Sequence, residues 1–212
     1  MCGSIYDKNN GDMNAGGLII AVAVMAGGQS KRMGRPKETV VIPGDGRTFL
    51  DKICDEIDTA FRENNGIKYI SVRKGQKISR SGYESVEDIY DGIGPIGGIA
   101  SVLKRAEKDN ASAVLFIACD MIKYDCNEIG RILAAYKGED VLFARTKERG
   151  MQPLAGIYSV HALGAITAQI MAGDYRLRHI AEHLDNVGYY DAMNEELYEN
   201  VNSFDLLGEQ LL

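Results

Sequence analysis

The residues with chemistry to offer lie in three short stretches. The first reads Ala26-Gly27-Gly28-Gln29-Ser30-Lys31-Arg32-Met33-Gly34-Arg35-Pro36-Lys37. Adjacent glycines let backbone N–H groups come close to an anion. Four of the seven residues from Lys31 to Lys37 are cationic, in a chain with 24 Lys plus Arg against 30 Asp plus Glu and a net charge of −6. A local cluster of this kind points to a triphosphate cradle; the competing reading is a solvated basic turn. Gly27 and Gly28 are contiguous and Gly34 is followed by Arg35, so the loop is neither the dinucleotide pattern GxGxxG nor the phosphate loop GxxxxGK[ST]. The second stretch is Ala118-Cys119-Asp120-Met121, in which Asp120 directly follows an apolar run. A carboxylate there is suited to Mg²⁺, which takes one or two protein carboxylates plus substrate phosphates, although a turn or helix-cap Asp has the same spacing. The third runs from Glu87-Asp88 to Gly97-Gly98 and holds five glycines or prolines just before a helical pattern. It could cup a ribose or a pterin, or it could be an ordinary connection.

These loops need rigid elements behind them, and the hydrophobic pattern supplies an alternation of strands and helices. Leu18 to Met25 is a continuous apolar, β-branched run, as expected of a strand covered on both faces. Thr48 can cap a helix whose Phe49, Ile53, Ile57 and Phe61 share one face. Strands are expected at Ile67 to Val72, Ala113 to Ala118 and Asp140 to Ala144, with helices at Ile96 to Ala106 and Asn127 to Tyr136. Met151 to Tyr158 reads as a strand started by Pro153. Such alternation predicts an α/β fold: a mostly parallel sheet with helices on both faces, whose ligands bind beyond the carboxyl ends of the strands.

With 212 residues and 45% hydrophobic content the chain suits one domain, expected over 18–212, behind a Gly- and Asn-rich leader over 1–17. The net negative charge argues against nucleic acid and anionic membrane as partners, and no apolar run approaches the roughly 20 residues of a membrane helix. Cys2, Cys54, Cys119 and Cys126 form no CxxC pair, which suits reduced thiols in the cytoplasm.

The string AGGQSKRMGRPK resembles the N-terminal motif of the molybdenum cofactor nucleotidyltransferases. The resemblance extends, in order, through GPIGG at Gly94–Gly98, ACDM at Ala118–Met121, QPLAGIY at Gln152–Tyr158, GDYRLR at Gly173–Arg178 and NVNSFD at Asn200–Asp205. It implies a three-layer, Rossmann-like nucleotidyltransferase fold. It also implies transfer of GMP from GTP to molybdopterin, or its molybdenum-loaded form, with release of pyrophosphate and dependence on Mg²⁺. Carried over by position, Ala26, Gly27, Gly28, Lys37, Asp88 and Asp120 would bind the nucleotide, with Asp91 as the alternative to Asp88. Lys37, Arg32 and Asp120 would be catalytic, and Asp120 would hold the metal. Gly97, Gly98, Arg178, Asn200 and Asn202 would lie toward the second substrate, although paired arginines also suit a solvated helix start. Contacts with cofactor-synthesis or acceptor proteins would be transient. The family's proline after the CDM string is Ile122 here. His161, His179 and His183 fall in none of these motifs. The rival readings are a GTP:cobinamide-phosphate guanylyltransferase, a CTP:molybdopterin cytidylyltransferase, a GTP-binding regulator without turnover, and a purely structural interaction module.

Overall fold

The computed structural model describes residues 17–28, 34–61 and 66–201. Seven strands form one sheet: β1 (Ile20–Met25), β2 (Lys68–Val72), β3 (Glu84–Glu87), β4 (Ala113–Ala118), β5 (Val141–Thr146), β6 (Gly150–Ser159) and β7 (Val187–Asp191). Their spatial order is β3-β2-β1-β4-β6-β5-β7. The pairings β1–β2, β1–β4, β2–β3 and β5–β7 are parallel, whereas β6 runs antiparallel to both neighbours.

The helices are α1 (Phe49–Ala60), α2 (Pro95–Lys108), α3 (Cys126–Ala135) and α4 (Leu163–Met171). Alternation along the strands divides the core into two layers. Val22 and Val24 of β1, with Leu115 and Ile117 of β4, pack against Ile53 and Ile57 of α1 and Ile129 and Ile132 of α3. Ala21, Ala23, Val114 and Phe116 face the other way, onto Ile99 and Leu103 of α2 and Ile166 of α4. Helices therefore cover both faces, as the sequence pattern predicts. Thr48 caps α1, its side chain accepting from Asp51 N–H, and Asp125 does the same for Glu128 at the start of α3.

One expectation shifts, and one is met at a helix start. The strand containing Pro153 begins at Gly150, so the proline is inside it rather than at its start. Phe143 pairs with Gly156 but Ala144 with Gln152, and the bulge between them accommodates a residue with no N–H to give to the ladder. The segment Leu177–His183 is a 3-10 helix, preceded by an Asp174 that is ion-paired to Arg176.

A third, small cluster lies beyond the sheet's carboxyl edge: Val40, Ile42, Phe49, Ile122 and Val201. It joins the chain after β1, the start of α1, the loop after β4 and the last described residue. Ile122, standing where the resemblance expects proline, is buried here, so side-chain packing holds the loop that carries Asp120.

Candidate active site

Every parallel strand from β1 to β4 delivers a polar loop to one cleft of about 660 Å³. After β1 come Ala26, Gly27, Gly28, Lys37 and Glu38; after β2, Arg73 and Lys74; after β3, Asp88, Tyr90 and Asp91; after β4, Cys119 and Asp120. This follows from the topology: parallel neighbours bring their C-terminal ends to the same edge.

At the β4 side, Lys37 Nζ lies 2.5 Å from Asp120 Oδ2. Lys37 opens a 3-10 turn, Lys37–Thr39, whose N-cap is Pro36 and whose Val40 is anchored in the small cluster. Asp120 is fixed from the other side, its carbonyl accepting the Val201 N–H at 2.9 Å. Asn200 therefore adjoins the Asp120 loop, although it does not line the cleft. Arg32 and Asn202 lie outside the described residues.

At the β3 side, Asp88 is partly buried at the strand's exit. Its N–H donates to Val72 O, and its Oδ1 accepts from Tyr90 N–H at 2.8 Å and Ser101 Oγ at 3.2 Å. Desolvation by burial dominates and raises its carboxyl above the ordinary aspartate value, with Asp91 adding repulsion and the two hydrogen bonds opposing. Asp91 is exposed. Gly97 and Gly98 have a packing reason to be glycine: a Cβ at Gly97 would stand 2.9 Å from both Asp88 carboxylate oxygens, and one at Gly98 would stand 2.6 Å from Ser71 Oγ. Gly98 lines the cleft and Gly97 lies behind Asp88. Arg178 is not brought to the cleft lining; it is exposed and donates to Arg149 O.

Cys119 is the one thiol on the cleft wall among the described residues, and burial raises its pKa strongly, with the negative charge of Asp120 adding to the effect. A thiol kept protonated is a poor nucleophile. The cleft thus offers cations, backbone N–H groups and the carboxylates of Asp88, Asp91 and Asp120. That set suits chemistry in which both reacting groups belong to the ligands.

A sequence model of the MobA-like NTP transferase domain matches residues 22–187, most of the chain. The chain belongs to the MobA-like NTP transferase family. As a member it is a nucleotidyltransferase, which agrees with a cleft built from phosphate-compatible loops. It is similar to a probable molybdenum cofactor guanylyltransferase of Opitutus terrae, 29% identical over 164 residues that cover 76% of this chain and 77% of the relative. A protein of the same description from Aquifex aeolicus is 29% identical over 175 residues, covering 82% and 80%. In fold it is similar to molybdopterin-guanine dinucleotide biosynthesis protein A of Archaeoglobus fulgidus, with a TM-score of 0.70, 22% identity, and coverage of 90% and 96%.

Within this MobA-like cleft, sequence reasoning passed over Arg73, Lys74 and Glu38, and with them Gln76, which does not line the cleft but bonds to Glu38. Arg73 and Lys74 follow β2 directly, so searching every strand exit, rather than only those with glycine or aspartate, would have found them. Glu38, which directly follows the basic loop, is 5% exposed.

Proposed function

We propose that this MobA-like transferase moves GMP from GTP to the terminal phosphate of molybdopterin, or of its molybdenum-loaded form, and releases pyrophosphate. The observation that carries the reading is the Lys37–Asp120 pair beside Gly27–Gly28, in a cleft whose one thiol among the described residues is kept protonated by burial. The names of the relatives support guanine and molybdopterin as the substrates.

In this reaction a phosphate oxygen of the acceptor attacks the α-phosphorus of GTP, and the bond from that phosphorus to the oxygen bridging to the β-phosphate breaks. Gly27 and Gly28 would offer backbone N–H groups to the phosphates, and Lys37 would neutralise charge building on the α-phosphate and departing pyrophosphate. Arg32 would assist from the same loop. Asp88 would orient the nucleoside, and the segment around Gly98, Asn200 and Asn202 would face the acceptor. Arg178, being exposed, would meet the acceptor only at the rim.

The donor set fits a hard divalent ion such as Mg²⁺. Asp120 already holds a cation, the Lys37 ammonium, and no group of three potential ligands exists among the described residues, so the remaining ligands would be triphosphate oxygens and water. Such an ion supplies charge neutralisation at the transferring phosphate. Among the described residues no helix is long and apolar enough to cross a membrane. A cytoplasmic setting is part of this proposal, and the buried thiols of Cys54 and Cys119, which form no disulfide, agree with it.

Calorimetry with GTP, CTP, ATP and UTP, with Mg²⁺ and with EDTA, tests the reading. GTP should bind most tightly, only with the metal, and Lys37→Ala should lose at least about tenfold in affinity, as expected for a hydrogen-bonded charge pair. Preference for CTP would move the product to the cytosine dinucleotide. Absence of triphosphate binding would overturn the proposal.

A further inference from the structure

Glu38 is a cleft residue to which the chemistry above gives no task. It sits inside the Lys37–Thr39 turn, buried, and it lines the cleft. Its Oε1 accepts from the Gln76 amide at 2.5 Å. Its Oε2 is buried and has no hydrogen-bond partner among the described residues. Folded chains rarely leave a buried carboxylate oxygen unpaired, because its lost hydration goes uncompensated.

Gln76 fixes the carboxylate. Its own Oε1 accepts from Arg73 N–H at 2.9 Å, which orients the amide so that its nitrogen must face Glu38 and the Ala26 carbonyl. Glu38 is thereby tied to the exits of β1 and β2. Lys37 on Asp120 marks the β4 side of the cleft, and Asp88 marks the exit of β3. Neighbouring strands lie about 4.8 Å apart. A triphosphate with its phosphates at Lys37 and its nucleoside at Asp88, as proposed above, would cross the exits of β1 and β2 and pass Glu38. A divalent ion at Glu38 would need several further oxygens, and no such group surrounds it among the described residues. A single N–H or O–H donor needs only what is present.

We propose that Glu38 is a specificity-determining residue whose Oε2 accepts a hydrogen bond from the nucleoside of the bound triphosphate, a base N–H or a ribose O–H, with Gln76 as its positioning residue. This rests on the triphosphate reading of the same cleft.

The test is calorimetry on the full chain with Mg²⁺ and five probes. GTP is compared with ITP, which lacks the 2-amino group; 2-aminopurine riboside triphosphate, which lacks N1–H; and 2′-deoxy- and 3′-deoxy-GTP. Glu38→Gln is isosteric, keeps an acceptor for Gln76, and turns the unpaired oxygen into a donor. The parent should bind GTP about tenfold or more tighter than at least one analogue, as a charge-assisted hydrogen bond implies. Glu38→Gln should lose that margin through weaker GTP binding, with affinity for the discriminated analogue unchanged. The analogue affected identifies the donor as base or ribose. Gln76→Leu should shrink the same margin and serves if Glu38→Gln melts without a cooperative transition. A margin unmoved in the folded variants, or a parent that binds all five alike, overturns the proposal while leaving the transferase reading intact. A parent that binds no triphosphate overturns both.

Discussion

Gly97 and Gly130 are both helical glycines, and the structure gives them opposite outcomes on replacement by alanine. A Cβ at Gly130 in α3 meets nothing within 4 Å. A Cβ at Gly97, in the first turn of α2, stands 2.9 Å from both oxygens of Asp88 and 3.1 Å from Ile93 Cγ1. Removing glycine's backbone freedom from a helix gains roughly 0.5–1 kcal/mol, so Gly130→Ala should stabilise by about that amount. At Gly97 the gain is no larger, and overpacking opposes it with about 1–3 kcal/mol. Asp88 cannot retreat freely, since Tyr90 N–H holds it at 2.8 Å and Ser101 Oγ at 3.2 Å. The two variants should therefore differ by about 1–3 kcal/mol, and each kcal/mol should appear as roughly 2–4 °C in Tm for a chain of this size. Urea unfolding reads the stability gap, and calorimetry reads the function. Gly97→Ala should bind nucleotide more weakly because its methyl displaces Asp88, while Gly130→Ala should bind as the parent does. Equal stability gains with intact binding in both would refute the idea that Asp88 is wedged against α2.

Other consequences are as direct. Burial raises the Asp88 carboxyl, so the folded chain favours its neutral form, and the penalty for ionising it is absent at acid pH and grows as pH rises from the ordinary aspartate value through the raised one. Asp88→Asn, which keeps an oxygen for Tyr90 and Ser101, should therefore be more stable than the parent at neutral pH and equal to it at acid pH in urea titrations; a variant less stable at neutral pH contradicts this. Tyr198→Phe strips the 2.5 Å hydrogen bond from the fully buried Glu128 and should cost about 1.5–3 kcal/mol in the same assay, and an unchanged midpoint would show that Glu128 finds another donor. Burial pushes the Cys54 thiol up to about 12 and raises Cys119 as well, so iodoacetamide should label neither in the folded chain at neutral pH. Rapid labelling of Cys119 would reopen the case for a covalent intermediate.

The parts legible in the sequence are those whose burial is complete. β1 and β4 are covered on both faces, so their runs are unbroken apolar stretches, and Thr48 announces α1 by its own side chain. β3 is not legible: of Glu84, Ser85, Val86 and Glu87 only Val86 is buried, and the segment becomes a strand by pairing with β2. β7 is likewise half exposed at the sheet's edge. Of the cleft, Asp120 is legible from the apolar run before it, whereas Lys37 and Asp88 are reached through the family resemblance, because β3 does not announce its own exit; the cleft gathers all three. Arg178 shows the limit, since a pair of arginines reads alike whether it faces a ligand or, as here, a backbone carbonyl. Glu38 and Gln76 are 38 residues apart, and no local pattern announces that one will hold the other.

Ile122 carries the argument about the site one step further. Proline at that position would stiffen the loop after β4 through its ring; isoleucine has no such effect on the backbone and must act by what it touches. It belongs to one buried cluster with Val40, Ile42, Phe49 and Val201. Val40 directly follows the turn that presents Lys37 and Glu38, and the Val201 N–H is bonded to the Asp120 carbonyl. The distance between the Lys37 ammonium and the Asp120 carboxylate is therefore set by a shared apolar cluster rather than by two independently rigid loops. Because packed side chains have few alternative arrangements, such a cluster can hold charges from segments 83 residues apart in register as firmly as a ring constraint holds one loop. The departure from the family's proline is thus compatible with an intact site, and it makes the Asn200–Val201 segment a structural participant in positioning Asp120.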